Sequence, residues 1–473
     1  MYTFQDLLKV GNSDQAKAQF CYQAINEFRE TKEYIESRDG EAYYAKHNTT
    51  IEQYKKWLYT MTGRKMLDLT SANYKIKTLF FRRLVSQQVQ YVLGNGLILD
   101  KPENKEKLGK NFDFQLQMIA KRAMASGRAF GFWNYDHLEV FGYADTPSQP
   151  GFCPLYDANT SELKAGIRFW TRVIGNNLTQ WFTLYEEDGY TEYSKVGEES
   201  LITSQPKKAY KTITVKSEAV GIEKEIGANY GRLPIVPLYA NDTRESELVG
   251  IRESIDAYDL IKSGLANTID DTAGIYWVIK NAGGMDDADV AKFLQRLKDM
   301  HGAAIDDAES VEAHEVNVPT EARKTMLELL RKDIYEDFQS LDVNTLSAAQ
   351  KTTQEIQAAY QAQDNKCADF EYFIIDFVQK ILELAGIDDN PTFNWNRVVN
   401  QSEQTQMILS AANYLSDEMI IKKLPFLTPE EAKEVIAQRE QEGYSAFNSN
   451  SNSSEEEEEK EEKNGDQNSK EEE

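Results

Sequence analysis

Cysteine, long apolar runs and an N-terminal leader pattern are all scarce or absent in this 473-residue chain. Its three cysteines, Cys21, Cys153 and Cys367, are an odd number at wide spacing, which excludes a disulfide framework and a CxxC-type metal site. The longest apolar runs, such as residues 373–378, are too short to span a bilayer. Residues 1–15 show no basic segment followed by an apolar stretch, so they do not resemble a signal peptide. These absences predict a soluble, intracellular protein with no membrane association.

Motifs that carry catalysis are also absent. No Walker A loop occurs, and the Gly94-Asn95-Gly96 triplet follows a predicted helix rather than a strand, which excludes a dinucleotide-binding loop. The four histidines are scattered, and no serine or cysteine lies in a nucleophile motif. Acidic pairs such as Asp270/Asp271 are an alternative site for a divalent cation, but their spacing fits solvated helix ends and turns better than any fixed ligand pattern. We therefore predict no catalytic residue, no metal site and no cofactor.

The charge is strongly unbalanced, with a formal net charge of −25. Residues 447–473 contain eleven acidic residues against three lysines, so the rest of the chain still carries about −17. The low complexity of this tail predicts disorder. A body this acidic is not expected to grip nucleic acid by its phosphates, although it is compatible with a protein that handles nucleic acid without gripping it.

Helical periodicity dominates residues 1–128. Apolar residues at helical spacing predict helices over 14–30, from Ile51 to about residue 61, over 73–94 and over 112–127. The last two end at Gly94 and Gly127, where glycine fits a C-terminal cap. From residue 129 to 240 the period changes to two, with many aromatic and β-branched residues, which predicts an antiparallel β region with hairpin turns at 175–177 and 186–189.

Residues 245–274 predict one long, acidic helix. Its apolar residues recur at spacings of three and four but form a stripe narrower than that of an ordinary core helix: Leu248, Ile251, Ile255, Tyr258, Ile261, Leu265 and Ile269. Beyond it, the patterns predict a strand from Tyr276, a short helix, an extended piece near His314, and a second narrow-striped helix over 318–341. Residues 342–350 are polar and break the periodicity, before a long helix over 351–385 and a helical set over 401–443. The fold class predicted is α+β, mainly helical.

Three stretches contain specific motifs. Residues 71–99 read N-x-K-I…LV-x-Q-x-x-x-Y-x-x-G, residues 128–157 with 167–170 form an aromatic β segment, and residues 231–271 read G-x-L-P-I…N…S-x-L…ID-x-YD…S-x-x-x-N-x-x-D-D. In this order and spacing, over roughly residues 40–385, they resemble the portal proteins of tailed double-stranded DNA bacteriophages, in particular the group like that of Bacillus phage SPP1. Ala240 is a small departure, because some relatives have asparagine there.

The resemblance implies a phage portal fold with wing, stem, clip and crown, in which long stem and channel helices accompany an antiparallel β region in the wing. It assigns residues 1–245 to the wing (helical over 1–128, β-rich over 129–240), 246–275 and 318–341 to two stem helices, 276–317 to the clip, 342–350 to a tunnel loop, 351–386 to a long channel and wing helix, 387–446 to the crown and 447–473 to a disordered acidic tail.

The resemblance also implies roles for individual residues. The DNA-facing positions of the tunnel loop would be Asn344, Thr345, Ser347, Gln350 and Lys351. Polar side chains suit a loop that tracks a moving duplex, and Lys351 is the nearby cation for a phosphate; an ordinary polar linker is the alternative. The stem, channel and subunit-seam positions would be Leu248, Ile251, Ile255, Asp256, Asp259, Ile261, Leu329, Ile334 and Glu336.

The function implied is a ring, usually dodecameric, at one capsid vertex, through which double-stranded DNA is packaged and ejected. Implied partners are the terminase large subunit, a head-completion or adaptor protein at the clip, the major capsid and scaffolding proteins, and duplex DNA bound without sequence preference. The implied location is the virion, and the host cytoplasm during assembly. The absence of a P-loop agrees with the implication that the ATP-driven motor is the terminase and not this chain. Two alternatives are a non-catalytic helical scaffold or adaptor of a phage particle, and a hydrolase whose metal-dependent turnover would be lost on changing Asp270 and Asp271.

Overall fold

In the computed structural model the described residues are 2–59, 63–69, 71–197, 201–216, 223–272, 276–280, 292, 310–314, 320–342 and 353–396, with 405, 408–411, 414–424, 427 and 429–442 further on. The chain divides into two compact units, one formed by Met1–Ala349 with Ala358–Asn396 and the other by Gln350–Gln357 with Arg397–Glu473. The first contains helices and sheets, and the elements described in the second are helices.

The region before the main sheet is mostly helical, as predicted. Its helices are α1 (Phe4–Val10), α2 (Asp14–Arg29), α3 (Lys32–Tyr44), α4 (Thr49–Gln53), α5 (Phe80–Leu93), α6 (Pro102–Glu106) and α7 (Phe112–Ser126). Polar caps define several starts, because the side chains of Ser13, Thr31 and Asn48 each accept a backbone hydrogen bond from the first turn of their helix. Short strands β1 (Trp57–Tyr59) and β2 (Lys65–Leu67) form a hairpin, and β3 (Leu97–Leu99) pairs with β16 (Pro391–Phe393).

The antiparallel β region predicted over 129–240 is present. Its strands are β4 (Arg128–Asn134), β5 (His137–Gly142), β6 (Gly151–Tyr156), β7 (Leu163–Ile174), β8 (Asn177–Glu186), β9 (Gly189–Val196), β10 (Ile202–Lys208), β11 (Lys211–Lys216), β12 (Glu223–Ala228) and β13 (Ile235–Tyr239). Eight of them form a sheet in the order β10-β9-β8-β7-β6-β5-β4-β13, while β11 and β12 pair separately. Neighbours are antiparallel except β5 and β6, which meet in parallel at a single residue pair.

Both faces of this sheet are covered within the first unit. Phe130 and Phe132 point to one face, where they join a core cluster that includes Phe20 and Phe28 of α2. The intervening Gly131 faces the other side, because successive residues of a strand alternate. A Cβ atom at Gly131 would lie 2.5 Å from the ring of Phe377, so glycine is required where this ring approaches the sheet.

The elements after the sheet are α8 (Arg252–Thr272), β14 (Tyr276–Lys280), β15 (Ser310–His314), α9 (Thr320–Asp337) and α10 (Thr353–Ala385). The strands β14 and β15 pair antiparallel, with Tyr276 opposite His314, so the two ends of residues 276–314 lie side by side. In the second unit, α11 (Asp417–Lys423) and α12 (Pro429–Glu442) pack together. Most of the predicted short helix that starts near residue 286 lies outside the described residues.

Three predicted helix limits were wrong. The helix predicted from Ile51 ends at Gln53, and Trp57 begins a strand instead. The helix predicted from residue 73 begins at Phe80, because the preceding segment is held extended by side chains of α8. The acidic helix predicted from residue 245 begins at Arg252.

Side-chain hydrogen bonds explain why the chain before Arg252 does not become helical. Asn241 Oδ1 accepts from the backbone N–H of Glu245 at 3.1 Å, and Ser246 Oγ accepts from that of Leu248 at 3.2 Å. Short polar side chains that bind nearby backbone groups favour turns over helix. The C-terminal cap predicted at Gly94, at the end of α5, is also displaced. Gly94 has a right-handed helical backbone, and Gly96 is the glycine with a left-handed conformation, with φ of 75°.

Candidate functional site

Helices α8 and α9 lie side by side and share aromatic contacts with α5. The ring of Phe80 meets Tyr258 of α8 edge-on at 5.0 Å between centroids and Tyr335 of α9 at 6.3 Å. Arg323 of α9 donates a hydrogen bond of 2.9 Å to the Thr268 hydroxyl of α8. The two predicted stem helices are therefore fixed to each other within one subunit.

The apolar residues of the turn before α8 and of its first turn pack inside the subunit. Leu248, Ile251 and Ile255 are each no more than 2% exposed, and Ile334 of α9 is fully buried. Ile261 is partly buried. Burying one such side chain is worth roughly 1.5–3 kcal/mol. These residues, predicted for the stem and seam, therefore contribute to the core of the single subunit.

One face of α8 binds the backbone of the extended segment 74–78 through three short polar side chains. We call Asp259, Ser263 and Asn267 the polar ladder. The three bonds run from Thr78 N to the Asp259 carboxylate at 3.1 and 3.3 Å, from Ile76 N to Ser263 Oγ at 3.0 Å, and from Tyr74 N to Asn267 Oδ1 at 2.6 Å. The acceptors are four residues apart on the helix, and the donors are two residues apart on the extended segment.

The spacing of the polar ladder matches the rise of the two elements. Four helical residues rise about 6 Å, and two extended residues rise about 6.6 Å, so donors and acceptors stay in step over three bonds. Asp259, Ser263 and Asn267 are each 5% exposed or less. Because a buried polar group without a partner is costly, each bond satisfies a backbone donor and a side-chain acceptor together.

Asp259 also connects α8 to the start of α4. Asn48 Nδ2 donates to Asp259 Oδ2 at 3.0 Å, while Asn48 Oδ1 accepts from the backbone N–H of Ile51 at 3.1 Å. Burial raises the pKa of the Asp259 carboxyl, and the hydrogen bonds from Thr78 and Asn48 oppose that rise. The carboxylate is thus the point at which three separate parts of the chain meet.

Asp256 faces the same interior side. Its carboxylate accepts hydrogen bonds from the Tyr43 hydroxyl at 2.6 Å and the Thr50 hydroxyl at 2.7 Å. Asp256 is partly buried and Asp259 is fully buried. Asp259 therefore lies in the interior of the single subunit, and the stem and seam role predicted for it stays a prediction.

The residues that lead into the predicted tunnel loop are held at three points. Arg331 forms two hydrogen bonds to the Asp342 carboxylate, of 3.1 Å from Nε and 3.0 Å from a terminal nitrogen. The backbone N–H of Leu341 donates to Gln363 Oε1 at 3.1 Å, and its carbonyl accepts from Gln87 Nε2 at 2.9 Å. The start of the loop is fixed to α9, α10 and α5. Asn344, Thr345, Ser347, Gln350 and Lys351 lie outside the described residues, and their role stays a prediction.

The outward face of α9 carries a stripe of exposed residues at spacings of four and three: Ala322, Met326, Leu329, Asp333 and Glu336. Met326 and Leu329 expose 43% and 52% of their surface. Of the nine predicted stem and seam positions, Leu329 and Glu336 are the two that are exposed. This outer stripe is exposed in the single subunit, whereas Leu248, Ile251 and Ile255 are buried.

No group of three or more histidine, cysteine, aspartate or glutamate side chains in the described ranges is arranged to hold a metal ion. Among the helices that the structure describes, none is long and apolar enough to cross a membrane. Cys21, Cys153 and Cys367 are unpaired and buried.

Sequence reasoning missed most of the interior polar network. It did not single out Asn48, Thr50, Tyr43, Ser263 or Asn267. A signal was nevertheless present, because the D-x-x-x-S-x-x-x-N spacing lies within the motif at residues 231–271. Polar residues four apart share one face of a helix, and such a face suggests a bound polar partner when apolar residues flank it.

Comparisons with known proteins agree with the resemblance. The family model described as "Phage portal protein, SPP1 Gp6-like" matches residues 26–444. The portal protein of Clostridium phage phiCD119 is 24% identical over 405 residues, which cover 79% of this chain and 86% of the relative. The portal protein of Bacillus phage SPP1 is 22% identical over 443 residues, which cover 87% of this chain and 84% of the relative.

Solved structures are similar only loosely. A chain from the virion of a native gene transfer agent particle superposes with a TM-score of 0.40 at 11% identity, covering 71% of this chain and 86% of that chain. A chain from the neck of the native gene transfer agent particle, computed with C12 symmetry, gives 0.38 at 10% identity, covering 73% and 88%. The family model, in contrast, spans most of the sequence, so the chain belongs to the SPP1 Gp6-like family of phage portal proteins.

Proposed function

We propose that this chain forms a ring-shaped channel, of about twelve subunits, at one capsid vertex, and that double-stranded DNA is packaged and ejected through it. The observation that carries the proposal is the portal family match over residues 26–444. A subunit that contacts its neighbours through two different surfaces closes into a ring when the rotation between copies permits it. The ring then serves as a docking platform for the terminase large subunit and for head-completion and tail proteins.

The proposed parts follow the order of the elements. Residues 1–245 form the wing, α8 and α9 with their flanks form the stem over 246–275 and 318–341, and the chain between them, 276–317, forms the clip. The pairing of β14 with β15 supports the clip, because it brings the two ends of residues 276–314 together. The tunnel loop over 342–350, the long helix over 351–386, the crown over 387–446 and the acidic tail complete the assignment.

The net negative charge of the chain supports a channel that does not bind duplex DNA tightly. Every lysine or arginine that binds a phosphate releases counterions and adds affinity, whereas this chain has a net charge of −25. An acidic wall repels the duplex from all sides, so the DNA slides with water and ions between the surfaces. The net negative charge of the chain therefore suits passage of DNA of any sequence, in the virion and earlier in the host cytoplasm. Major capsid and scaffolding proteins, and an adaptor at the clip, are the remaining proposed partners.

Purified full-length protein is expected to form closed rings. Negative-stain images and mass photometry should show particles of about a dozen subunits with a central hole, since the family's role requires a closed channel. A monomer that stays monomeric across protein concentration, salt and pH would contradict the proposed function.

Deleting residues 345–348 is expected to spare ring assembly and to lower DNA packaging by at least about tenfold. The anchored start of the loop, at Leu341 and Asp342, remains in the deletion, so the stem should keep its structure. Packaged DNA is measured by nuclease protection in an assembly reaction with heads and terminase. The matched control deletes four residues from the acidic tail, 466–469, which should leave packaging unchanged; normal packaging by the loop deletion would show that the segment is a linker.

A further inference from the structure

A basic, apolar arm stands out in this acidic chain. We define the arm as residues 54–59 and 63–69, which contain four lysines and arginines against one acidic residue, Asp68. The described part of the arm includes the β1–β2 hairpin, in which Trp57 lies opposite Leu67. Lys65 stacks over the Trp57 ring at 4.4 Å. The arm therefore combines positive charge with an aromatic surface.

The apolar side chains of the arm are left uncovered by the rest of the subunit. Tyr54, Trp57, Met66 and Leu67 expose more than two-fifths of their surface each, and Leu69 exposes 84%. A two-stranded hairpin without a covering layer is only marginally stable in water. Contiguous exposed apolar residues of this kind mark an interaction site.

Both ends of the arm are anchored on α8. Before the arm, Thr50 and Asn48 bind Asp256 and Asp259. After it, the segment 74–78 is bound by the polar ladder. The hairpin is thus carried at a fixed place beside the stem helices, and an incoming partner would find it already positioned.

A complementary surface exists on the same chain. The outer stripe of α9 exposes Met326 and Leu329 and then continues into Asp333 and Glu336. Apolar and charged positions thus occur on both surfaces. The charges of the arm are mainly basic and those of the stripe are acidic, although Lys332 beside the stripe pairs with Glu336 at 3.3 Å. Pairing the α9 stripe with itself across a two-fold axis would bring these acidic residues together, whereas pairing it with an arm brings acid to base.

We propose that the arm of one subunit packs on the α9 stripe of the next copy of this chain; this inference rests on the proposed ring. Both surfaces are exposed in the single subunit, so the contact runs between copies, and a contact between two different surfaces is the kind that closes a ring. Duplex DNA is a poorer occupant, because a phosphate backbone does not cover Trp57, Met66 and Leu69.

The arm variant Lys55→Glu with Arg64→Glu is expected to raise the protein concentration for half-maximal ring assembly by at least about tenfold, since like charges would then face each other. The stripe variant Asp333→Lys with Glu336→Lys is expected to do the same. Controls carry matched charge changes on exposed residues elsewhere: Lys101→Glu with Lys110→Glu, and Glu103→Lys with Glu106→Lys. Circular dichroism verifies that each variant is folded.

Mixing the arm variant with the stripe variant supplies the decisive measurement. In a ring where the two variants alternate, one contact joins a wild-type stripe to a wild-type arm, and the next joins a charge-reversed stripe to a charge-reversed arm. Every contact then pairs opposite charges. Rings should therefore form again, with the two variants alternating and with an even number of subunits. Native mass spectrometry of the mixture reads the composition. The proposal would be overturned if both variants assembled into rings as readily as the wild type, or if the mixture formed no rings. It would also be overturned if the arm variant formed rings normally and lost only DNA retention. Absence of wild-type rings would instead contradict the proposed function itself.

Discussion

Replacing Asp259 with alanine is expected to lower the free energy of unfolding by about 3 kcal/mol. The substitution leaves the backbone N–H of Thr78 and the side-chain amide of Asn48 without their acceptor, in a place that is fully buried. Each buried donor without a partner costs roughly 1–3 kcal/mol, which outweighs the relief of burying a carboxylate. Urea unfolding of the full chain at matched protein concentration measures the difference.

Asp270→Ala is the matched control for this prediction, because Asp270 is an exposed acidic residue of the same helix. Its substitution is expected to change the free energy of unfolding by no more than about 0.5 kcal/mol. If Asp259→Ala were as mild as Asp270→Ala, the polar ladder would not be what holds segment 74–78 on α8.

Gly40→Ala is expected to destabilise the subunit by about 3 kcal/mol, because overpacking at a close backbone contact cannot be relieved by a rotamer change. A Cβ atom at Gly40 would lie 1.8 Å from the carbonyl oxygen of Ala125 and 2.6 Å from Ser246 Oγ. Ser246 Oγ itself donates to that carbonyl at 2.6 Å. Helix α3, helix α7 and the turn before α8 therefore meet where glycine alone fits.

Gly264→Ala should have the opposite sign. Gly264 lies within α8, and a Cβ atom there meets nothing within 4 Å. Alanine is favoured over glycine inside a helix by about 0.8–1.0 kcal/mol, so the variant should unfold at a higher denaturant concentration than the wild type. A stable Gly40→Ala variant with an unchanged unfolding midpoint would show that α3 and α7 can shift apart freely.

The periodicity of apolar residues located helices and strands well where the pattern within one element matches the face that the element buries. The alternation over residues 129–240 predicted the sheet, and helix α2 was predicted within a residue of its limits, Asp14–Arg29. The 3.6-residue pattern also found α9 and α10, although α9 buries its apolar residues only towards its C-terminal end, at Leu330, Ile334 and Tyr335. The sequence resemblance identified the family, which the family model then confirmed.

Long-range hydrogen bonds account for what periodicity could not give. Residues 74–78 carry a helical pattern, yet their backbone is captured by side chains almost two hundred positions later in the chain. Likewise, the acidic flank of α8 suggested a channel wall, but Asp259 is matched by donors from two distant segments. A local pattern shows how apolar and charged residues are distributed around a helix. It does not show which segment of the chain packs against each face.

The polar ladder also limits how the length of this protein can vary. Ladder residues on α8 are four positions apart and so advance by about 40° round the helix at each step. One residue inserted between Asp259 and Asn267 would turn the later acceptor about 100° away from its donor, while an insertion in the arm, between two anchored ends, would leave all three bonds intact. Length variation among relatives should therefore occur in the hairpin and be absent from the part of α8 between Asp259 and Asn267.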